Sequence, residues 1–148
     1  MRFGIAETEI TPPFPTRMHG YGARQEFYED VHEPLTFTPV VLEEGDRRMV
    51  IGSADICTFP NDDTLRPFLE KVGEAAGCSA DNVMLNASHT HGGPLVPSSG
   101  WLFRESGRTG NAERFRKYLY EKVLAAVGQA CANMEDGSLW YGEGKTNV

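Results

Sequence analysis

The chain has 148 residues, with 14 Lys and Arg against 21 Asp and Glu, a formal net charge of −7. Without a basic run it cannot grip a phosphate backbone or an anionic lipid surface, so nucleic acid is excluded as a partner. Hydrophobic residues at 40% exclude intrinsic disorder, and no stretch reaches the roughly 18 apolar residues that a membrane span needs.

In chain order, Arg2 to Ile10 alternates apolar Phe3 and Ile5 with polar neighbours and reads as a strand. It starts without a charged-then-apolar leader, which predicts a cytoplasmic location. Pro12 to Arg24 then carries five glycines and prolines, and Gly92 to Gly110 carries seven, together 12 of the 25 in the chain. Both stretches read as long loops, and loops of that length inside a domain are candidates for the walls of a site. Leu35 to Leu42 and Met49 to Ala54 are β-rich runs joined by a hairpin turn at Gly45-Asp46. Leu65, Phe68, Leu69, Val72 and Ala76 fall on one helical face. Gly77 is the C-terminal cap of that helix, Thr64 its expected N-cap, and Pro67 sits in the tolerant first turn. Asn82 to Asn86 has the length of a buried strand. Phe115, Leu119, Val123, Ala126, Val127 and Ala130 then mark a long helix, with Asn111 as its expected cap. Leu139 to Tyr141 opens a last strand, whose edge could pair with a second chain. Strands interleaved with helices predict an α/β fold with a mixed sheet, in one domain spanning residues 1–148.

The chemistry concentrates in Asn86 to Pro94, Asn-Ala-Ser-His-Thr-His-Gly-Gly-Pro. Side chains two apart on an extended backbone point the same way, so His89 and His91 can present two imidazoles to one ion at the end of a strand. Neutral imidazole favours zinc, though other divalent transition ions also fit, and a catalytic zinc needs about three protein ligands. The competing reading is a hydrogen-bonded surface turn. Asp55 ends the run Met49 to Ala54 at another strand exit, either facing the histidines or capping a turn. Arg24 either clamps an anionic or carbonyl group or forms a surface ion pair. His19 and His32 each read as site or structural residues. Cys57, Cys78 and Cys131, odd in number and widely spaced, read as small apolar residues of a reducing compartment, with a reactive thiol as the alternative.

Several of these segments together resemble the N-terminal part of the neutral/alkaline non-lysosomal ceramidase family. They are Gly4-Ile5-Ala6 through Glu9-Ile10-Thr11-Pro12-Pro13, Gly20-Tyr21-Gly22-Ala23-Arg24, Val31-His32-Glu33-Pro34-Leu35, Ser53-Ala54-Asp55, and Asn82-Val83-Met84-Leu85 leading to Ser88-His89-Thr90-His91-Gly92-Gly93-Pro94. The resemblance implies a zinc-dependent amidase that cleaves the N-acyl bond of ceramide or another lipid-like amide. It implies His89 as a zinc ligand and His91 as a catalytic or substrate-binding residue beside the metal. On the reading of the residues themselves, Asp55, Arg24 and His32 are expected to support the site or bind substrate. Family members are often secreted. The family's remaining ligands, a His, a Glu and a Tyr, lie downstream of the matched motifs, and no histidine follows His91 here. The chain therefore reads as part of a larger metallohydrolase domain. Gly92 stands where the family usually has Ser. The competing readings are an inactive binding or assembly domain, and a small hydrolase whose site is shared between subunits.

Overall fold

A computed structural model describes residues 1–22, 24, 26–97 and 110–146. Six strands, β1 (Arg2–Ile5), β2 (Thr8–Glu9), β3 (Thr36–Glu44), β4 (Arg47–Ala54), β5 (Val83–Ala87) and β6 (Glu135–Asp136), form one sheet, accompanied by helices α1 (Leu65–Ala76) and α2 (Gly110–Ala132). The sheet order is β5-β4-β3-β1-β6, with β2 also paired to β3. All pairings are antiparallel except β4 with β5. This is the expected mixed α/β sheet.

The strand expected over Arg2 to Ile10 is split in two, and Pro39 explains where. Ile5 pairs with Val40 and Thr8 with Phe37, so the same register sets Ala6 opposite Pro39. Proline has no amide proton to donate, and the ladder lapses at that point. The hairpin forms as expected, with Glu44 opposite Arg47 and Gly45 at φ 60°.

Helix α1 matches its expected bounds, and Gly77 closes it in the left-handed region at φ 72°. Thr64 makes no side-chain cap. The Asp62 carboxylate instead accepts the Thr64 amide at 3.0 Å and also bonds its hydroxyl. Helix α2 already includes Gly110, so Asn111 lies in its first turn, where its side-chain amide donates to the Pro15 carbonyl at 2.7 Å.

The expected apolar face of α2, from Phe115 to Ala130, is at most 1% exposed and packs with Phe68, Val72 and Ala76 of α1 over Phe37, Val41, Val50 and Ala54 of the sheet. The expected buried strand is β5, but it forms an edge, with Met84 55% exposed. Leu139 to Tyr141 is not a strand. Glu135–Asp136 takes the place beside β1, and Trp140 is 88% exposed, so the pairing edge expected at 139–141 does not form. Most of the second loop, residues 98–109, lies outside the described residues. Among the described residues no helix is long and apolar enough to cross a membrane.

At the hairpin end, Arg48 Nε donates to Glu43 Oε2 at 3.0 Å and Arg2 Nη1 donates to Oε1 at 2.9 Å. These bonds, Arg48 first, hold the Glu43 carboxyl below its usual range. A carboxylate favoured in the folded state contributes stability above the unfolded value of about 4.3, and that contribution is lost as pH falls through the lower folded value. The urea midpoint should therefore fall between pH 5 and pH 3, and Glu43→Gln should flatten that fall.

Candidate metal centre

The parallel pairing of β4 and β5 brings two chain exits together. Ala54 is opposite Ala87 at the carboxyl ends of both strands, the end at which α/β sheets place their ligand sites. Beyond it Ser88 N donates to Ala54 O at 3.0 Å and His89 N to Ile56 O at 3.1 Å. Asp55-Ile56-Cys57 therefore runs alongside Ser88-His89. At His89 the backbone turns into the left-handed region, at φ 60°. Both histidines lie past the end of β5, so a turn, and not the alternation of an extended strand, brings their rings to a centroid distance of 5.1 Å.

Cys57 joins them. One donor atom each from Cys57, His89 and His91 lies within 4.8 Å of the others, with Cys57 buried, His91 half-buried and His89 exposed. His89 Nδ1 is 2.8 Å from the Cys57 carbonyl oxygen. A carbonyl only accepts, so Nδ1 carries the proton and Nε2 keeps its lone pair free for an ion. Burial pushes the Cys57 thiol up from its ordinary value.

The first loop supplies the opposite wall. Met18 bridges to Pro94, His19 N donates to Gly93 O at 2.9 Å, and Leu95 N donates to Arg17 O at 2.7 Å. These contacts bring His19, only 8% exposed, towards the pair; burial first, then His91 and His89, hold its pKa below the usual histidine value. Gly20, at φ 81°, lies against the His91 ring so closely that a β-carbon there would sit 2.4 Å from Cγ. Tyr21 meets the same ring edge-on at 5.0 Å. Arg24 Nη1 donates to the His91 carbonyl at 2.8 Å, so this guanidinium fastens the two loops together.

Asp55 Oδ2 accepts from Thr36 N at 3.0 Å and from Thr36 Oγ1 at 2.9 Å, which ties the end of β4 to the start of β3. It does not cap a helix, since α1 begins at Leu65 and uses Asp62. Asp55 and the exposed His32 line one cleft of about 430 Å³ together with Met18, Tyr28, Thr90 and Gly92. The cleft thus adjoins His91 within a single chain. Sequence reasoning left Cys57 as an apolar residue or a reactive thiol and His19 as a site or structural residue, and placed neither beside the His89/His91 pair. The signal for Cys57 was its place two residues beyond Asp55 at a strand exit; His19 carried none beyond lying in the first loop.

No protein-family model matches the chain. Over 97% of its length the chain is 26% identical to neutral ceramidase of Pseudomonas aeruginosa. The chain resembles the N-terminal portion of the neutral ceramidase family. It spans 22% of the length of that ceramidase. A crystal structure of neutral ceramidase from Pseudomonas aeruginosa superposes with a TM-score of 0.70 at 23% identity, covering 90% of this chain and 22% of the ceramidase. A ceramidase complexed with C2 gives a TM-score of 0.71 at 24% identity, covering 90% and 21%. The mixed sheet and its flanking helices are the fold of that part of neutral ceramidase.

Proposed function

We propose that residues 1–148 are the N-terminal part of a zinc-dependent amidohydrolase domain that cleaves an N-acyl amide, of ceramide or a related lipid-like molecule. The observation that carries this reading is the convergence of Cys57, His89 and His91 at the shared end of β4 and β5, in a chain similar to neutral ceramidase. Imidazole and sulfur donors suit zinc, so the residues present fit the metal. When bound, zinc supplies a Lewis acid for the amide carbonyl and lowers the pKa of a water.

The chain's own residues have distinct tasks in this reading. His89 holds the metal through Nε2, its ring fixed by the bond from Nδ1 to the Cys57 carbonyl. His91 is the catalytic residue. Its ring, braced by Gly20 and Tyr21, holds a proton for the departing amine. Arg24 fixes the His91 backbone, while Asp55 and His32 line the cleft in which the acyl amide lies. Elemental analysis of the purified protein tests the reading. One zinc per chain in the unaltered protein and none in His89→Ala is expected; no zinc, or equal zinc in both, overturns it.

A further inference from the structure

Helices α1 and α2 leave a groove of about 740 Å³ between them, and it shares no lining residue with the cleft beside His91. Its floor is apolar. Phe68 of α1 stacks flat on Tyr120 of α2, with ring centroids 3.6 Å apart, and Leu124 continues the strip one turn further along α2. Lys71 of α1 and Arg114, Arg116 and Lys117 of α2 line the same groove, against the carboxylates Glu113 and Glu121. In a chain of net charge −7 this is a local excess of positive charge. Arg116 pairs with Glu113 at 2.7 Å, and the Arg114 guanidinium lies over the Phe14 ring at 3.9 Å. Lys71 and Lys117 are exposed, and among the described residues neither forms an ion pair. The Tyr120 hydroxyl is buried without a well-formed hydrogen bond among the described residues. The Thr64 hydroxyl beside it already donates to Asp62 and accepts from Arg116 Nη1 at 3.0 Å. Burial raises the Tyr120 phenol above its ordinary value, so at neutral pH it keeps its proton and is a donor in want of an acceptor.

We infer that this groove binds a free fatty acid, its acyl chain lying on the strip of Phe68, Tyr120 and Leu124 and its carboxylate accepting from the Tyr120 hydroxyl in the field of Lys71 and Lys117. Each part of the groove selects one property of that ligand. The two unpaired ammonium groups favour an anion, and the buried phenol favours one that presents an oxygen acceptor. A compact anion such as phosphate leaves the apolar floor in water, whereas a hydrocarbon tail covers it. The strip has room for such a tail, since Thr64 to Lys71 covers about 10 Å of helix. The groove is open along its length, as entry of a flexible chain requires. The inference stands independently of the zinc reading, although the amide hydrolysis proposed above releases a molecule of this class.

The test is a calorimetric titration of decanoate, kept below its micellar concentration, into the 148-residue protein. It is repeated with His89→Ala, Tyr120→Phe and Lys71→Glu/Lys117→Glu, and with acetate and decyltrimethylammonium as probes lacking the tail or carrying the opposite charge. The inference expects one decanoate per chain, bound equally by the unaltered protein and by His89→Ala, and no binding of acetate or of the cation. It expects the charge-reversed variant and Tyr120→Phe each to weaken decanoate binding by about tenfold while circular dichroism is kept. Both lysines are exposed, so the charge reversal tests the groove without disturbing the core. No decanoate bound, equal binding of acetate or of the cation, or an affinity unmoved by the charge reversal overturns the inference. Binding lost in His89→Ala and kept in the charge-reversed variant puts the carboxylate at the metal centre, which also overturns the inference and leaves the zinc reading standing.

Discussion

Replacing Gly4 with alanine should destabilise the protein by about 3 kcal/mol, at the upper end of what overpacking a core ordinarily costs. Gly4 lies on β1 opposite Val41, directly beneath the last turns of α2. An added β-carbon would meet the Ala130 carbonyl oxygen at 1.9 Å and its carbon at 2.9 Å. Both are backbone atoms of a helix whose Val127 and Ala130 are fully buried, so no rotamer change relieves the clash. The end of α2 must lift off the sheet. Gly128 supplies the contrast. It is exposed on the same helix and a β-carbon there meets nothing within 4 Å, so Gly128→Ala should raise stability by about 0.5–1 kcal/mol through helix propensity. Urea unfolding of the two variants checks the pair. A Gly4→Ala protein as stable as the parent would contradict the packing of α2 on β1.

The second large effect is expected at Gly20, where fold and site meet. Alanine at φ 81° carries a backbone cost of about 1–2 kcal/mol. Its β-carbon would also lie 2.4 Å from His91 Cγ and 2.7 Å from Nδ1. The ring must turn away, which carries it out of reach of His89 and Cys57. Gly20→Ala should therefore lose about 2 kcal/mol of stability and also weaken zinc binding. Gly22→Ala, with nothing within 4 Å of the added carbon, should change neither. Zinc affinity and urea midpoints measured on both variants separate a defect at the site from a general loss of folding.

Both glycines show how far the sequence could be read. Periodicity located the α2 face from Phe115 to Ala130, and turn chemistry located Gly45 and Gly77, because local pattern determines those features. Gly4 could not be understood that way, since what makes it a glycine is a helix carbonyl more than a hundred residues away. The site was legible only in part, for the same reason. Strand exits pointed to Asp55 and His89 separately, but the parallel pairing that sets Ala54 beside Ala87 is a tertiary fact, and it is what puts Cys57 against His89. The strand expected at Leu139 to Tyr141 failed because apolar residues signal burial only where a partner surface exists. In the described structure Glu135–Asp136 already occupies the edge beside β1.

The central claim is that one zinc is held where β4 and β5 end together. The most direct measurement is anomalous X-ray scattering at the zinc edge from crystals of the protein and of His89→Ala. The account predicts a single peak about 2.0 Å from a His89 ring nitrogen, bordered by Cys57 and His91, and no peak in the variant. A peak elsewhere on the chain, or one that survives the loss of His89, would contradict it.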